Sequence, residues 1–219
     1  MIYDHSLRLC ERTGFRDTMT TRCSNNEISL YTAGGGNLSF KKKIFAISGS
    51  TRERSTNLNL INAIAELARD TFDVNVYLGL MELPPFNPDN DNENAGDVVA
   101  DFRTQLNRSN GVLICTPEYA MGVPGTLKNA IDWTVSSADF YHKPTALITA
   151  SSVGEKGHAS LLETLKVIDA IITDDTQLLI SHAKLKVSNE SKITDDKTLL
   201  EIEELIRAFD AVIENKQDV

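Results

Sequence analysis

Two kinds of apolar pattern alternate along this chain. Short runs of consecutive or alternating apolar residues are separated by longer stretches in which apolar positions recur every three or four residues. The first kind fits buried strands and the second fits amphipathic helices. Lys43 to Ile47 is a run of the first kind, ending at Ser48-Gly49-Ser50. Over residues 57–69, Leu58, Ile61, Ala65 and Ala68 fall at helical spacing, and Leu60, Ile64 and Leu67 widen the apolar face. Val74, Val76 and Leu78 alternate as a second strand, and Val98, Val99, Phe102 and Leu106 predict a helix over 97–108. A third strand covers Val112 to Cys115, followed by a helix over 125–137. Thr145 to Thr149 predicts a fourth strand, backed by a helix carrying Leu161, Leu165 and Ile168. Leu178 to Ser181 predicts a fifth, and residues 195–214 a closing amphipathic helix. Such alternation implies an α/β fold with a parallel sheet.

Three strand ends carry candidate chemistry. The first strand passes through Ser48-Gly49-Ser50-Thr51-Arg52-Glu53-Arg54-Ser55-Thr56-Asn57 straight into a helical pattern. A glycine there lets the backbone bend close to a ligand, and the amides of a helix start point at negative charge. Ser48, Ser50, Thr51, Ser55 and Asn57 add neutral donors, and Arg52 adds a fixed charge suited to phosphate. A nucleoside-triphosphate loop needs Gly-Lys-Ser/Thr, and no lysine lies between Lys43 and Lys128. A dinucleotide loop needs three spaced glycines, and this turn has one. A hydroxyl-based loop for a monophosphate remains, beside the plainer reading of ordinary helix capping.

After the third strand, Pro117-Glu118-Tyr119 opens a loop with two prolines and two glycines, which holds Tyr119 as a flat surface for a ring. After the fourth, Ala150-Ser151-Ser152-Val153-Gly154 is small enough for a backbone to approach a ring edge. In open parallel sheets ligands sit outside the carboxyl ends of the strands, and all three loops fall on that rim.

The segments Gly-Ser-Thr-Arg-x-x-Ser-x-Asn at 49–57, Leu-Pro-Pro-Phe-Asn-Pro-Asp at 83–89 and Pro-Glu-Tyr-x-x-Gly-x-Pro-Gly-x-Leu-Lys-Asn-Ala-Ile-Asp-Trp at 117–133 resemble the NAD(P)H-dependent FMN reductase family. The likeness runs from about Lys43 to about Val212. It implies a flavodoxin-like, doubly wound five-stranded sheet of order 2-1-3-4-5 with helices on both faces. It also implies FMN as cofactor and NADPH or NADH as co-substrate. The acceptor would be a quinone, an azo dye or a metal oxyanion, and the assembly a homodimer or homotetramer. FMN would lie on Ser50, Thr51, Arg52, Ser55 and Asn57, against Pro117, Glu118 and Tyr119, with Ser151, Ser152 and Gly154 along another edge. Where the family's third loop reads Ser-x-Gly-x-x-Gly-Gly, this chain keeps Ser152, Gly154 and Gly157 but has His158 last. That histidine is open to two readings, a proton donor to substrate or an ordinary loop residue.

No acid–base dyad accompanies these loops, as expected where a flavin carries the chemistry. Two other classes stay open. One is a non-enzymatic flavodoxin-like electron carrier, which would hold a one-electron state. The other is a sugar-phosphate or nucleotide binding module without redox activity.

At 219 residues the chain suits one domain, and its net charge of −9 argues against nucleic acid or an anionic membrane as partner. Three cysteines, Cys10, Cys23 and Cys115, form no Cys-x-x-Cys pair and point to a reducing, cytoplasmic setting. The four histidines show no metal-ligand spacing, and the oxygen-rich stretch 89–97 fails the calcium-loop template, which leaves it a solvated acidic loop. Residues 1–40, with four Arg, four acidic residues and Gly34-Gly35-Gly36, read as a poorly packed extension before a domain over 41–219.

Overall fold

The computed structural model describes residues 19–24, 27–32, 41–92 and 95–217. Contacts divide the chain into two units, residues 1–40 and 41–219. In the first, β1 (Met19–Ser24) and β2 (Glu27–Thr32) pair antiparallel, with Met19 opposite Thr32 and Cys23 opposite Ile28. Thr20, Thr21, Ile28, Leu30 and Tyr31 suit extended backbone, although the sequence shows little periodicity there. The rest of the expected extension, including Cys10 and the three-glycine run, lies outside the described residues.

The second unit is built on five parallel strands: β3 (Lys42–Ser48), β4 (Phe72–Tyr77), β5 (Gly111–Thr116), β6 (Thr145–Ser151) and β7 (Gln177–Ser181). Their order is β4-β3-β5-β6-β7, which is 2-1-3-4-5 counted within the sheet. Register places Ile44 beside Val74, Phe45 beside Val112, Leu113 beside Ala146 and Ile148 beside Leu178. Successive side chains leave a strand on opposite faces, so a strand buried on both reads as a continuous apolar run. Accordingly Ile44 and Ala46 join one core cluster, while Phe45 and Ile47 join the other. Helices α1 (Thr56–Leu67) and α5 (Asp196–Gln217) cover the first face. The second is covered by α2 (Asp97–Arg108), α3 (Gly125–Asp132) and α4 (Glu155–Val167).

Local chemistry sets where these elements stop. Ser55 caps α1, its hydroxyl accepting from the Leu58 amide at 3.2 Å. At the other end of α2 the Lys143 ammonium donates to the carbonyls of Leu106, Asn107 and Ser109 at 3.2, 3.3 and 3.0 Å, a favoured place for a cation. Helix α3 ends at Asp132, short of the expected 137. Just beyond it the Thr134 hydroxyl donates to the Ile131 carbonyl at 2.6 Å, offering the backbone an alternative to another helical turn. The second strand ends at Tyr77, and Leu78 lies beyond it, exposed.

The segment 83–89 is held by α3 and the residue that ends it. Asn129 donates to the Pro84 carbonyl at 3.0 Å and accepts from the Phe86 amide at 2.7 Å. The Trp133 indole donates to the same carbonyl at 2.8 Å, with Phe86 edge-on to its ring. Two of the three sequence motifs are therefore halves of one clamp. The stretch 89–97, expected to be solvated, is tied down in part: Asp91 pairs with Arg103 at 2.6 Å and its side chain is almost buried.

Candidate functional site

Loops from the carboxyl ends of four neighbouring strands wall a cavity of about 530 Å³. After β3 come Ser50, Arg52, Thr56 and Asn57; after β5, Pro117, Glu118 and Tyr119. Ala150 and Ser151 end β6 and Ser152 follows it, and His182 to Leu185 follow β7. Eight of the eleven residues singled out from sequence line this space. Thr51 instead lines a smaller neighbouring cleft with Ser50 and Arg52. Ser55 is buried and spends its hydroxyl on the helix cap, and Gly154 stands at the start of α4. The wall after β7 carries no motif. Its one sequence signal is that a fifth parallel strand must end on the same rim.

The β3 loop lies against β5. The Gly49 amide donates to the Cys115 carbonyl at 2.8 Å. A Cβ on Gly49 would fall 2.3 Å from the Thr116 hydroxyl, so only glycine allows this approach. Beyond it, among the described residues, none of the backbone amides from Ser50 to Asn57 donates to a protein acceptor. Those amides, the hydroxyls of Ser50, Thr51 and Thr56, and the exposed Arg52 guanidinium make a donor set that fits a phosphate monoester at the start of α1. Arg52 itself donates only to the Arg54 carbonyl, at 2.9 Å.

The β5 loop is stiff. Tyr119 and Gly122 exchange both backbone bonds, at 2.8 and 3.0 Å, around Ala120 and Met121, whose φ angles are 50° and 64°. This is the mirror-type two-residue turn, made without glycine at a cost of about 1–2 kcal/mol per residue. Such strain clusters at functional rims. The turn holds Tyr119 half exposed at the cavity.

Glu118 reaches away from that turn. Its carboxylate accepts from the Gly157 amide at 2.6 Å, inside the first turn of α4. Gly154 provides no side-chain cap, so Glu118 caps the helix from another loop. A Cβ on Gly157 would press on the Gly122 carbonyl at 3.0 Å and on Glu118 at 3.1 Å, so that glycine keeps the two loops close.

His158 has no view of the cavity. Its Nδ1 is 3.0 Å from the Thr149 hydroxyl, and its Nε2–H donates to the Gln177 side-chain carbonyl at 3.1 Å. Both ring nitrogens are engaged in joining α4 to β6 and β7, which removes the proton-donor reading. The buried Cys115 thiol donates to the Asn57 side chain at 3.3 Å, and burial pushes its pKa up, so it stays protonated. No cluster of potential metal ligands occurs among the described residues.

A separate cleft of about 460 Å³ along β4 is lined by Glu82, Asp97 and Asp101. Asp97 opens α2 and Asp101 accepts from Gln105 at 2.6 Å, so helix structure already accounts for two of these three acids.

Residues 42–185 match the model of the family described as NADPH-dependent FMN reductase. A 2-hydroxy-1,4-benzoquinone reductase of Burkholderia sp. is 31% identical over 163 residues, which span 71% of this chain and 87% of that protein. A quinone reductase of Escherichia coli (strain K12) is 29% identical over 81% of this chain and 98% of its own length. Among solved structures, the flavoenzyme NAD(P)H:(acceptor) oxidoreductase FerB from Paracoccus denitrificans superposes with a TM-score of 0.70 at 25% identity, covering 80% of this chain and 98% of that one. An archaeal flavodoxin, at 14% identity and a TM-score of 0.52, shares the fold.

Proposed function

The chain belongs to the NADPH-dependent FMN reductase family, and from that premise we propose how its own residues serve a flavin-dependent oxidoreductase. The enzyme uses FMN and NAD(P)H and delivers electrons to a quinone. FMN, when bound, supplies the two-electron exchange between the nicotinamide and the acceptor. The residues present fit it. Ser50, Thr51 and Arg52, with the amides that run into α1, receive its phosphate. Ser55 acts by capping α1 and so shaping that loop, while Asn57 lines the cavity and ties the start of α1 to Ala150. Pro117 and Tyr119 back the ring, Glu118 fixes their loop against α4, and Ser151 and Ser152 form the other edge, with Gly154 turning the chain behind them into α4. With one cavity serving donor and acceptor, the two ligands enter in turn.

A single observation carries this assignment: the unbroken run of unpartnered amides from Ser50 to Asn57, opening beside Arg52 on a cavity with an aromatic wall. The direct test is anaerobic mixing of FMN-loaded protein with NADPH, followed by a quinone. Bleaching of the flavin absorbance within turnover time and its return on adding quinone are expected. Flavin that binds but does not bleach would make the protein an electron carrier. A chain that takes up no FMN would be a nucleotide or sugar-phosphate module.

Azo dyes and metal oxyanions are proposed as further acceptors, since they too take electrons without needing an acid–base dyad. A homodimer or homotetramer is proposed on the exposed apolar side chains of Met121 and Val153 near the rim. A cytoplasmic setting is supported by the cysteine content, and no described helix is long and apolar enough to cross a membrane. The division into a 1–40 extension and a 41–219 FMN domain is likewise proposed.

A further inference from the structure

We infer that Lys184 sets the choice between nicotinamide donors, by meeting the 2′-phosphate that distinguishes NADPH from NADH. The inference rests on the reading that the cavity holds FMN.

Lys184 lies in a short 3-10 turn, Ala183–Leu185, after β7. The backbone of that turn is fixed from several sides. The His182 amide donates to the Ser152 carbonyl at 3.2 Å, joining the turn to the loop after β6. Leu185, Lys186 and Val187 donate back to His182 and Ala183 at 2.9, 3.1 and 3.0 Å, and Ala183 is buried. One loop further on, Asn59 of α1 donates to the Ser188 carbonyl at 3.2 Å.

The Lys184 side chain is the opposite case. It is exposed, lines the cavity, and makes no hydrogen bond or ion pair with any described residue. A lysine on a fixed backbone with no internal partner is a point charge available to a ligand.

The cavity's other groups narrow which ligand. Arg52 is the second cation lining it, and it stands on the loop whose amides and hydroxyls already suit the flavin monoester. The one carboxylate at the cavity, Glu118, is spent on Gly157 and does not neutralise Lys184. On a chain of net charge −9, an uncompensated ammonium at a cavity mouth is a local attractor for anions. Next to it Leu185 is 81% exposed, an apolar surface beside a charge. An adenosine bearing a phosphate has both features. NADPH and NADH differ by that phosphate alone, so a free cation there discriminates between them through one charge-assisted contact.

The test uses FMN-loaded full-length protein, wild type beside Lys184→Ala, Lys184→Glu and Lys184→Arg. Calorimetry gives Kd for NADP⁺ and NAD⁺ without turnover, and steady-state kinetics gives kcat/KM for NADPH and NADH. The preference for the phosphorylated form is expected to fall at least tenfold in Lys184→Ala, further in Lys184→Glu, and to recover in Lys184→Arg. It is also expected to shrink with added salt in the wild type. An unchanged preference in Lys184→Ala and Lys184→Glu overturns the inference. FMN affinity of each apoprotein, read by fluorescence quenching, separates the sources of phosphate. A loss of FMN affinity with the donor preference intact assigns Lys184 to the flavin monoester and equally overturns it. Wild-type protein that binds no FMN removes the underlying reading first, and the inference with it.

Discussion

Asn57 is 4% exposed, and its side chain donates to the Ala150 carbonyl at 3.2 Å while accepting from the Cys115 thiol at 3.3 Å. One residue thus links the start of α1 to the ends of β5 and β6. Arg52, five positions earlier, shows the reverse economy, since its guanidinium makes one hydrogen bond, to a carbonyl two residues away. If Arg52 receives the flavin phosphate as proposed, replacing it with alanine removes a charge-assisted contact worth about 1.5–3 kcal/mol. Exposure places the loss at the low end, so fluorescence titration is expected to show FMN held about tenfold more weakly, with lysine recovering part. Unchanged affinity would take Arg52 out of the site. From the sequence the two differ in charge but both read as ligand donors on one hydroxyl-rich turn. The distinction depends on partners 58 and 93 positions away, which local spacing does not encode.

Among the elements, α4 depends most on a distant residue. Its first turn is capped by Glu118, which belongs to the loop after β5. Glu118→Ala is expected to lower unfolding stability by about 1 kcal/mol, the usual value of a helix cap, and to loosen the Tyr119 turn packed beside it. Glu118→Gln keeps an acceptor and recovers part of the loss. Thermal unfolding measures both, and an alanine variant as stable as the wild type would count against the capping role. Strands and helices were legible because both sheet faces are covered, which turns β3, β5 and β6 into apolar runs. Boundaries failed where side chains compete with the backbone, as Thr134 does after α3. His158 resisted reading because Thr149 and Gln177, which occupy its ring, become neighbours only once the sheet has formed.

At the scale of the whole molecule, Lys143 couples folding to pH. Burial, then repulsion from Lys216, lowers its pKa from 10.5 to about 8, and Asp139 offsets part of this. A folded pKa below the unfolded one means that the unfolded chain holds the proton more tightly between about pH 8 and 10.5. Stability from this group therefore rises with pH through that window. Denaturation of wild type and Lys143→Met at stepped pH is expected to show their difference moving in favour of the wild type across it. A flat difference would show that the ammonium is not strained by burial. The three motif loops were legible from the sequence because each is a local pattern, and their fixed order carried the family resemblance, which in turn implied the sheet order. The fourth wall, at Lys184, was not, since nothing in its composition departs from an ordinary surface turn.

The bare amides that begin α1 bear on how the protein fares inside a cell. If they hold riboflavin phosphate as proposed, water alone satisfies them until it arrives, and folding until then gains nothing from the ligand's binding energy. Ligand that binds only the folded chain adds stability in proportion to the logarithm of its concentration over Kd. Vitamin supply is then expected to bear on the protein's lifetime, with apoprotein cut faster than FMN-loaded protein in limited proteolysis.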